Sequence, residues 1–142
     1  MQVDQIRVKV WNGERLSDEE LELLRKAAAK EAGPVLRTTV AQALINADHS
    51  NEALSILESI RRDYPRELQV QLALGRALIG LEKWSDAERP LKLALEINPG
   101  DPEPMKALAT IALRRSEFAR ARALLDDVLR GDPIDAEAQM LL

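Results

Sequence analysis

Apolar positions in this chain recur on two scales. Within short segments they fall on one face of a helix, and along the chain they return every 34 residues. Val40, Leu74 and Leu108 form one such column, Leu57, Leu91 and Leu125 a second, and Ile60, Ala94 and Val128 a third. Small residues keep the same interval at Ala41, Gly75 and Ala109, and again at Ala53, Ala87 and Ala121. Pro65, Pro99 and Pro133 close the copies. Columns that agree without an insertion identify an internal repeat, and a repeat decides how the rest of the sequence is read.

Each copy predicts two helices. The first helices run over about 34–47, 67–80 and 102–114, and their partners over about 50–63, 84–97 and 118–130. Turn signals follow each pair at Asp63-Tyr64-Pro65, Asn98-Pro99-Gly100-Asp101-Pro102 and Gly131-Asp132-Pro133. Proline cannot continue a helix and restrains the residue before it, so these are stops. Pro34 and Pro102 suit a first helical turn, where a missing N–H costs nothing. The small residue at 41, 75 and 109 is expected to face the alanine at 53, 87 and 121. Helix axes approach to about 8 Å only across small side chains. Trp84 and Phe118 begin second helices and are expected to plug the space by the interhelix turn. Ser50 stands there in the first copy, which predicts a looser closure. Pro90, inside a second helix, predicts a local irregularity.

The ends differ. Ser17-Asp18-Glu19-Glu20 is a capping box ahead of a helix over about 18–32, with Leu21, Leu24 and Ala28 on its apolar face and Gly33 at its end. Before it, Ile6, Val8 and Val10 alternate with Arg7 and Lys9 and read as a strand, with Asn12-Gly13 as a turn pair and Trp11 packed on the first helix. The expected organisation is a strand-like or disordered segment over 1–16, a capping helix over 17–33, and repeats over 34–67, 68–101 and 102–135. Residues 136–142 are read as the start of a fourth repeat, as in a fragment of a longer protein, or as a short final helix.

The 34-residue period, the Gly or Ala of the first helix, the Ala of the second and the closing Pro make residues 34–133 resemble the tetratricopeptide repeat family. The middle copy fits best, with Leu74, Gly75, Leu78, Trp84, Ala87, Leu91, Ala94 and Pro99. The chain departs from the family's large aromatics at Arg37, Gln71 and Met105, and at Leu44, Leu78 and Ala112. The resemblance implies an all-α solenoid of helix-turn-helix repeats behind an N-terminal capping helix. It also implies a concave wall lined by first helices. That wall would present Thr38, Gln42, Ile45 and Asn46, then Gln69, Leu72, Arg76 and Ile79, then Glu103, Lys106, Thr110 and Leu113. Family members that clamp a C-terminal carboxylate use paired Lys and Asn, which Thr38/Gln42, Leu72/Arg76 and Lys106/Thr110 do not reproduce.

Composition and charge narrow the chemistry. Only Trp11, Tyr64, Trp84 and Phe118 are aromatic, so the core rests on Ala, Leu, Ile and Val. A net charge of -4 opposes a nucleic-acid partner, which requires a basic field. No cysteine is present, which excludes disulfides and thiolate metal sites. No long apolar run predicts a membrane span, and no secretory signal is evident, so a cytoplasmic site is the default expectation. An arginine-to-lysine ratio of 14 to 6 is associated with a GC-rich bacterial source. His49, the single histidine, lies in a turn without catalytic or metal-binding partners. The glycines make no phosphate loop. Arg114, Arg115, Arg120 and Arg122 read as a solvated face near Glu117, Asp126 and Asp127. The expected function is therefore a non-catalytic scaffold without cofactor or metal, taking a protein or peptide partner in the concave groove. Arg76 and Lys106 would face a partner with acidic residues, over a floor of Leu72, Ile79 and Leu113. The alternatives are a non-catalytic section of a longer enzyme and a module that stacks end to end. The open side of the last helix predicts self-association through 120–142, most simply as a two-fold dimer.

Overall fold

The computed structural model describes residues 3–30 and 33–142. They form α1 (Val3–Trp11), α2 (Asp18–Lys30), α3 (Pro34–Asn46), α4 (Ser50–Asp63), α5 (Leu68–Gly80), α6 (Trp84–Ile97), α7 (Pro102–Arg114), α8 (Phe118–Gly131) and α9 (Ala136–Leu141). The expected last residues of α2, Glu31 and Ala32, lie outside the described residues. From α3 to α8 the helices follow the predicted pairs to within a residue or so. Each first helix packs on its own partner, on the preceding second helix and on the next first helix. This is the nearest-neighbour packing of a solenoid.

The small columns do what their size allows. Ala41, Ala109, Ala53, Ala87 and Ala121 are all buried. Gly75 marks a close approach: a Cβ there would stand 2.5 Å from Leu91 Cδ2 and 2.6 Å from its Cγ. The expectation that Ser50 loosens the first copy is corrected. Ser50 is buried, and a Cβ on Gly80 would collide with its side chain, so the short serine lets α4 and the end of α5 close up. Trp84 is half-buried against the core cluster that includes Leu72, Leu78 and Leu91, as expected, whereas Phe118 is 65% exposed and plugs nothing. α6 runs through Pro90 without interruption.

The turn inside each pair has one construction. Asp48, Glu82 and Ser116 hold φ of 64°, 58° and 61°. The residue after each donates its N–H back five positions, His49 to Leu44, Lys83 to Leu78 and Glu117 to Ala112, at 2.8–2.9 Å. These carbonyl-satisfying, left-handed helix ends use non-glycine residues. At the start of first helices, Gln71 donates to the Pro65 carbonyl at 2.8 Å and Gln139 to that of Pro133 at 2.7 Å. Gln71 thus closes a repeat junction at a position where the family resemblance implied an aromatic.

The strand reading of the N-terminus is overturned. Residues 3–11 are helical, with Ile6 and Val10 buried and Val8 60% exposed. The spacing Val3, Ile6, Val10 is also helical, and burial against α2 and α3 selects it over the alternating pattern. Trp11, expected to pack on the first helix, is 38% exposed. The capping box forms as expected: Ser17 N–H donates to Glu20 at 3.0 Å and Glu20 N–H to Ser17 Oγ at 3.2 Å. Glu20 also accepts from Lys9 Nζ at 2.8 Å, tying α1 to α2. α1 and α2 therefore pack as a helix pair ahead of α3, rather than as a lone lid.

Candidate partner-binding groove

Five first helices contribute to one hollow of about 380 Å³. Val10 and Trp11 come from α1 with Asn12 and Gly13 beyond it, Gln42 from α3, Arg76 and Ile79 from α5, Glu103, Lys106, Ala107 and Thr110 from α7, and Glu137 from α9. The common register explains this: side chains 34 residues apart point the same way when successive pairs stack with the same turn.

A continuous polar ladder runs along the wall. Asn46 donates to the carbonyls of Val10 at 2.9 Å and Glu14 at 3.2 Å, and accepts from Gln42 at 2.9 Å. Gln42 accepts from Arg76 at 3.1 Å, and Arg76 reaches Glu103 at 3.3 Å. Lys106 ends the ladder between Glu103 at 3.2 Å, Asp135 at 3.1 Å and Glu137 at 3.2 Å. Burial would lower the Lys106 pKa, but the hydrogen bonds from its ammonium to Asp135, Glu137 and Glu103 outweigh burial and raise it above the ordinary lysine value. The Ala138 N–H and then Lys106 hold the Asp135 carboxyl below its ordinary value.

The expected groove residues therefore divide. Gln42, Arg76, Ile79, Glu103, Lys106 and Thr110 border the hollow. Thr38 and Leu72 are buried; Thr38 bonds back to the Pro34 carbonyl at 2.7 Å, and Leu72 belongs to the core instead of a groove floor. Asn46 serves the ladder, and Gln69 is exposed without bordering the hollow. Ile45 borders a neighbouring hollow by the α3–α4 turn, and Leu113 a third beside α8 and α9. The side chain of Lys106 is only 8% exposed and is surrounded by carboxylates, so it is no free cation for an acidic partner. Trp11, Asn12, Gly13 and Glu137 join the site although sequence reasoning placed none of them there. The signal for the first three was the helical spacing of Val3, Ile6 and Val10, masked by the alternation at 6, 8 and 10.

A family model for the tetratricopeptide repeat matches residues 47–109 and 78–142, and the chain belongs to that family. Among solved structures, it is similar to TTC0263, a thermophilic TPR protein in Thermus thermophilus. The TM-score is 0.78 and the identity 23%, over 87% of this chain and 69% of that one. MamA AMB-1 is similar at a TM-score of 0.65 and 21% identity, over 80% of this chain and 67% of the other. MamA from Desulfovibrio magneticus RS-1 gives 0.70 and 16%, over 82% and 67%. At these identities the likeness is one of fold. Comparison with curated protein sequences gives no match. Among the described residues no helix is long and apolar enough to cross a membrane, and no group of metal-ligating side chains is assembled.

Proposed function

We propose that the chain is a non-catalytic protein-interaction scaffold whose inner groove takes an extended or helical segment of a partner protein. The observation that carries this is the hollow itself. Trp11, Ile79 and Ala107 give it apolar surface, and Glu103 and Glu137 keep 44% and 61% of their side chains in contact with solvent. Grooves of mixed character recognise short segments through a few anchors.

The partner chemistry differs from the acidic segment expected from sequence. Arg76 and Lys106 are opposed by Glu103, Asp135 and Glu137, so the free valences of the wall are carboxylate. A lysine or arginine beside an apolar anchor fits it. Selection from a random peptide library displayed on phage tests this. Enriched peptides should pair a basic residue with an apolar one. Trp11→Ala and Glu137→Gln should each weaken a selected peptide about tenfold, as for the loss of one good contact, with the melting temperature unchanged. Acidic ligands, or ligands that crosslink only to the second helices, would refute the proposal.

A further inference from the structure

A second hollow, of about 600 Å³, opens between the second helices of the first two repeats and shares no lining residue with the groove. α4 and α6 form its walls; both pack on α5, and neither packs on the other. Leu54, Glu58 and Arg61 border it from α4, and Asp86, Pro90 and Leu93 from α6, each set spaced i, i+4, i+7. Gln71, Leu74 and Leu78 supply a floor from α5 at i, i+3, i+7. Residues so spaced line one side of a helix for about two turns, or about 10 Å. Three such stripes around one space make a trough shaped for a further helix.

The neighbouring junctions show what closes a gap of this kind. Between α2 and α4, Arg25 bonds Glu52 at 2.7 Å. Between α6 and α8, Glu88 is held by Arg120 at 3.0 Å and by Arg115, in the turn before α8, at 3.1 Å. Among the described residues no ion pair crosses from α4 to α6. The register explains the difference. Leu54 stands where the next junction has Glu88, and Asp86 where it has Arg120. Pro90 replaces Leu124 and Gln71 replaces Met105. Leu124 and Met105 are packed against the core at their own junction, whereas Gln71 is turned to the Pro65 carbonyl.

Charge on the rim says what fills the trough. Glu58 is already paired with Arg61. Lys83, at the start of α6, and Asp86 and Arg89 within it are exposed and make no ion pair among the described residues. Two cations against one carboxylate leave a positive balance beside apolar walls. We infer that the trough seats an acidic amphipathic helix of a partner protein, with its apolar stripe on Leu54, Leu74 and Leu93 and its carboxylates toward Lys83 and Arg89. An apolar helix face laid in a hydrophobic groove is an established mode of recognition. A short isolated helix is marginal in water, so the occupant is a helix that a folded partner presents, and flexible peptides of the kind that probe the groove do not supply it. The trough stands independently of what the groove binds.

Selection from a library randomised on the outward face of one helix in a stable helical bundle tests this. The library is first depleted on the charge-reversed variant Lys83→Glu/Arg89→Glu. Binders then kept by the intact chain should pair Asp or Glu with Leu, Phe or Met at helical spacing. The rim variant should weaken them about tenfold or more with an unchanged melting temperature, since both residues are exposed. About 0.5 M salt should also weaken them through screening. Leu54→Glu combined with Asp86→Arg copies the closing pair of the next junction and should abolish binding; the exposed rim pair decides the matter whether or not this variant folds. Trp11→Ala and Glu137→Gln, in the groove, should leave these binders unaffected. An empty selection, binders with basic faces, or binders that the groove variants abolish would overturn the inference. So would self-association of the intact chain that Lys83→Glu/Arg89→Glu removes, a result that assigns the trough to a second copy.

Discussion

Gly75→Ala tests the packing logic of the repeat where α5 closes on α6. The substitution has two opposed effects. Alanine in a helix interior is favoured over glycine by about 1 kcal/mol. Against this, the new methyl would stand 2.5 Å from Leu91 Cδ2 and 2.6 Å from Cγ, well inside van der Waals contact. Leu91 is fully buried among Leu72, Leu78, Ala87, Leu108 and Ile111, so its branch point cannot swing into solvent. Relief requires α5 and α6 to separate or Leu91 to leave its rotamer, which costs about 1–3 kcal/mol. The overpacking term wins, and a net loss of about 1 kcal/mol is expected. Urea denaturation followed by helical circular dichroism would show the midpoint falling by roughly 0.5 M. Leu91→Ala alone should cost about 2–5 kcal/mol. In the Gly75→Ala background it should cost about 1 kcal/mol less, because the methyl occupies part of the vacated space. Unchanged or raised stability for Gly75→Ala, or strict additivity with Leu91→Ala, would show that the small-residue column does not set the distance between the helices.

Other expectations follow from the ladder and the second helices. Lys106→Met leaves Glu103, Asp135 and Glu137 without their shared cation and should cost about 1–3 kcal/mol, less than a fully buried pair because two of the carboxylates remain wet. Hydrogen exchange should then quicken first in α9, which Lys106 ties to α7. Pro90→Ala should stabilise by about 1–3 kcal/mol by restoring a donor inside α6; a loss would assign Pro90 a packing role beside Leu54 and Leu93 in the hollow it borders. Acidification should destabilise the fold. Lys9 and then Ser17 lower the pKa of Glu20, and at Glu88 the upward effect of burial is outweighed by Arg120. With Asp135 also lowered, these groups contribute stability above the ordinary carboxylate pKa of about 4, and it is lost as pH falls through their lower folded values. Lys106 works in the opposite direction, stabilising below the ordinary lysine value and losing that effect as pH rises through its raised one. Thermal melts across pH should therefore show a plateau at neutrality with a fall below about pH 4; a midpoint that rises on acidification would contradict these assignments.

Periodic features of the sequence were sufficient for the repeat. Helix pairs, proline stops, buried alanines and the capping box of α2 depend on spacing and local hydrogen bonding, both legible along the chain. Local sequence misread α1 as a strand, because the alternation of Ile6, Val8 and Val10 masked the helical spacing of Val3, Ile6 and Val10; burial against α2 and α3 chose the helix. Trp84 and Phe118 share a register, yet one is covered and the other exposed, since burial depends on what packs next along the solenoid. The turns at Asp48, Glu82 and Ser116 carried no glycine to mark a left-handed residue; pairing of adjacent helices imposes it. The groove followed the same division. The register put Arg76 and Lys106 on one wall, but their availability depended on carboxylates 27 to 31 residues further along the chain. Which charges cancel is a matter of distance in space, so only the tertiary structure turned an apparently basic groove into an acidic one.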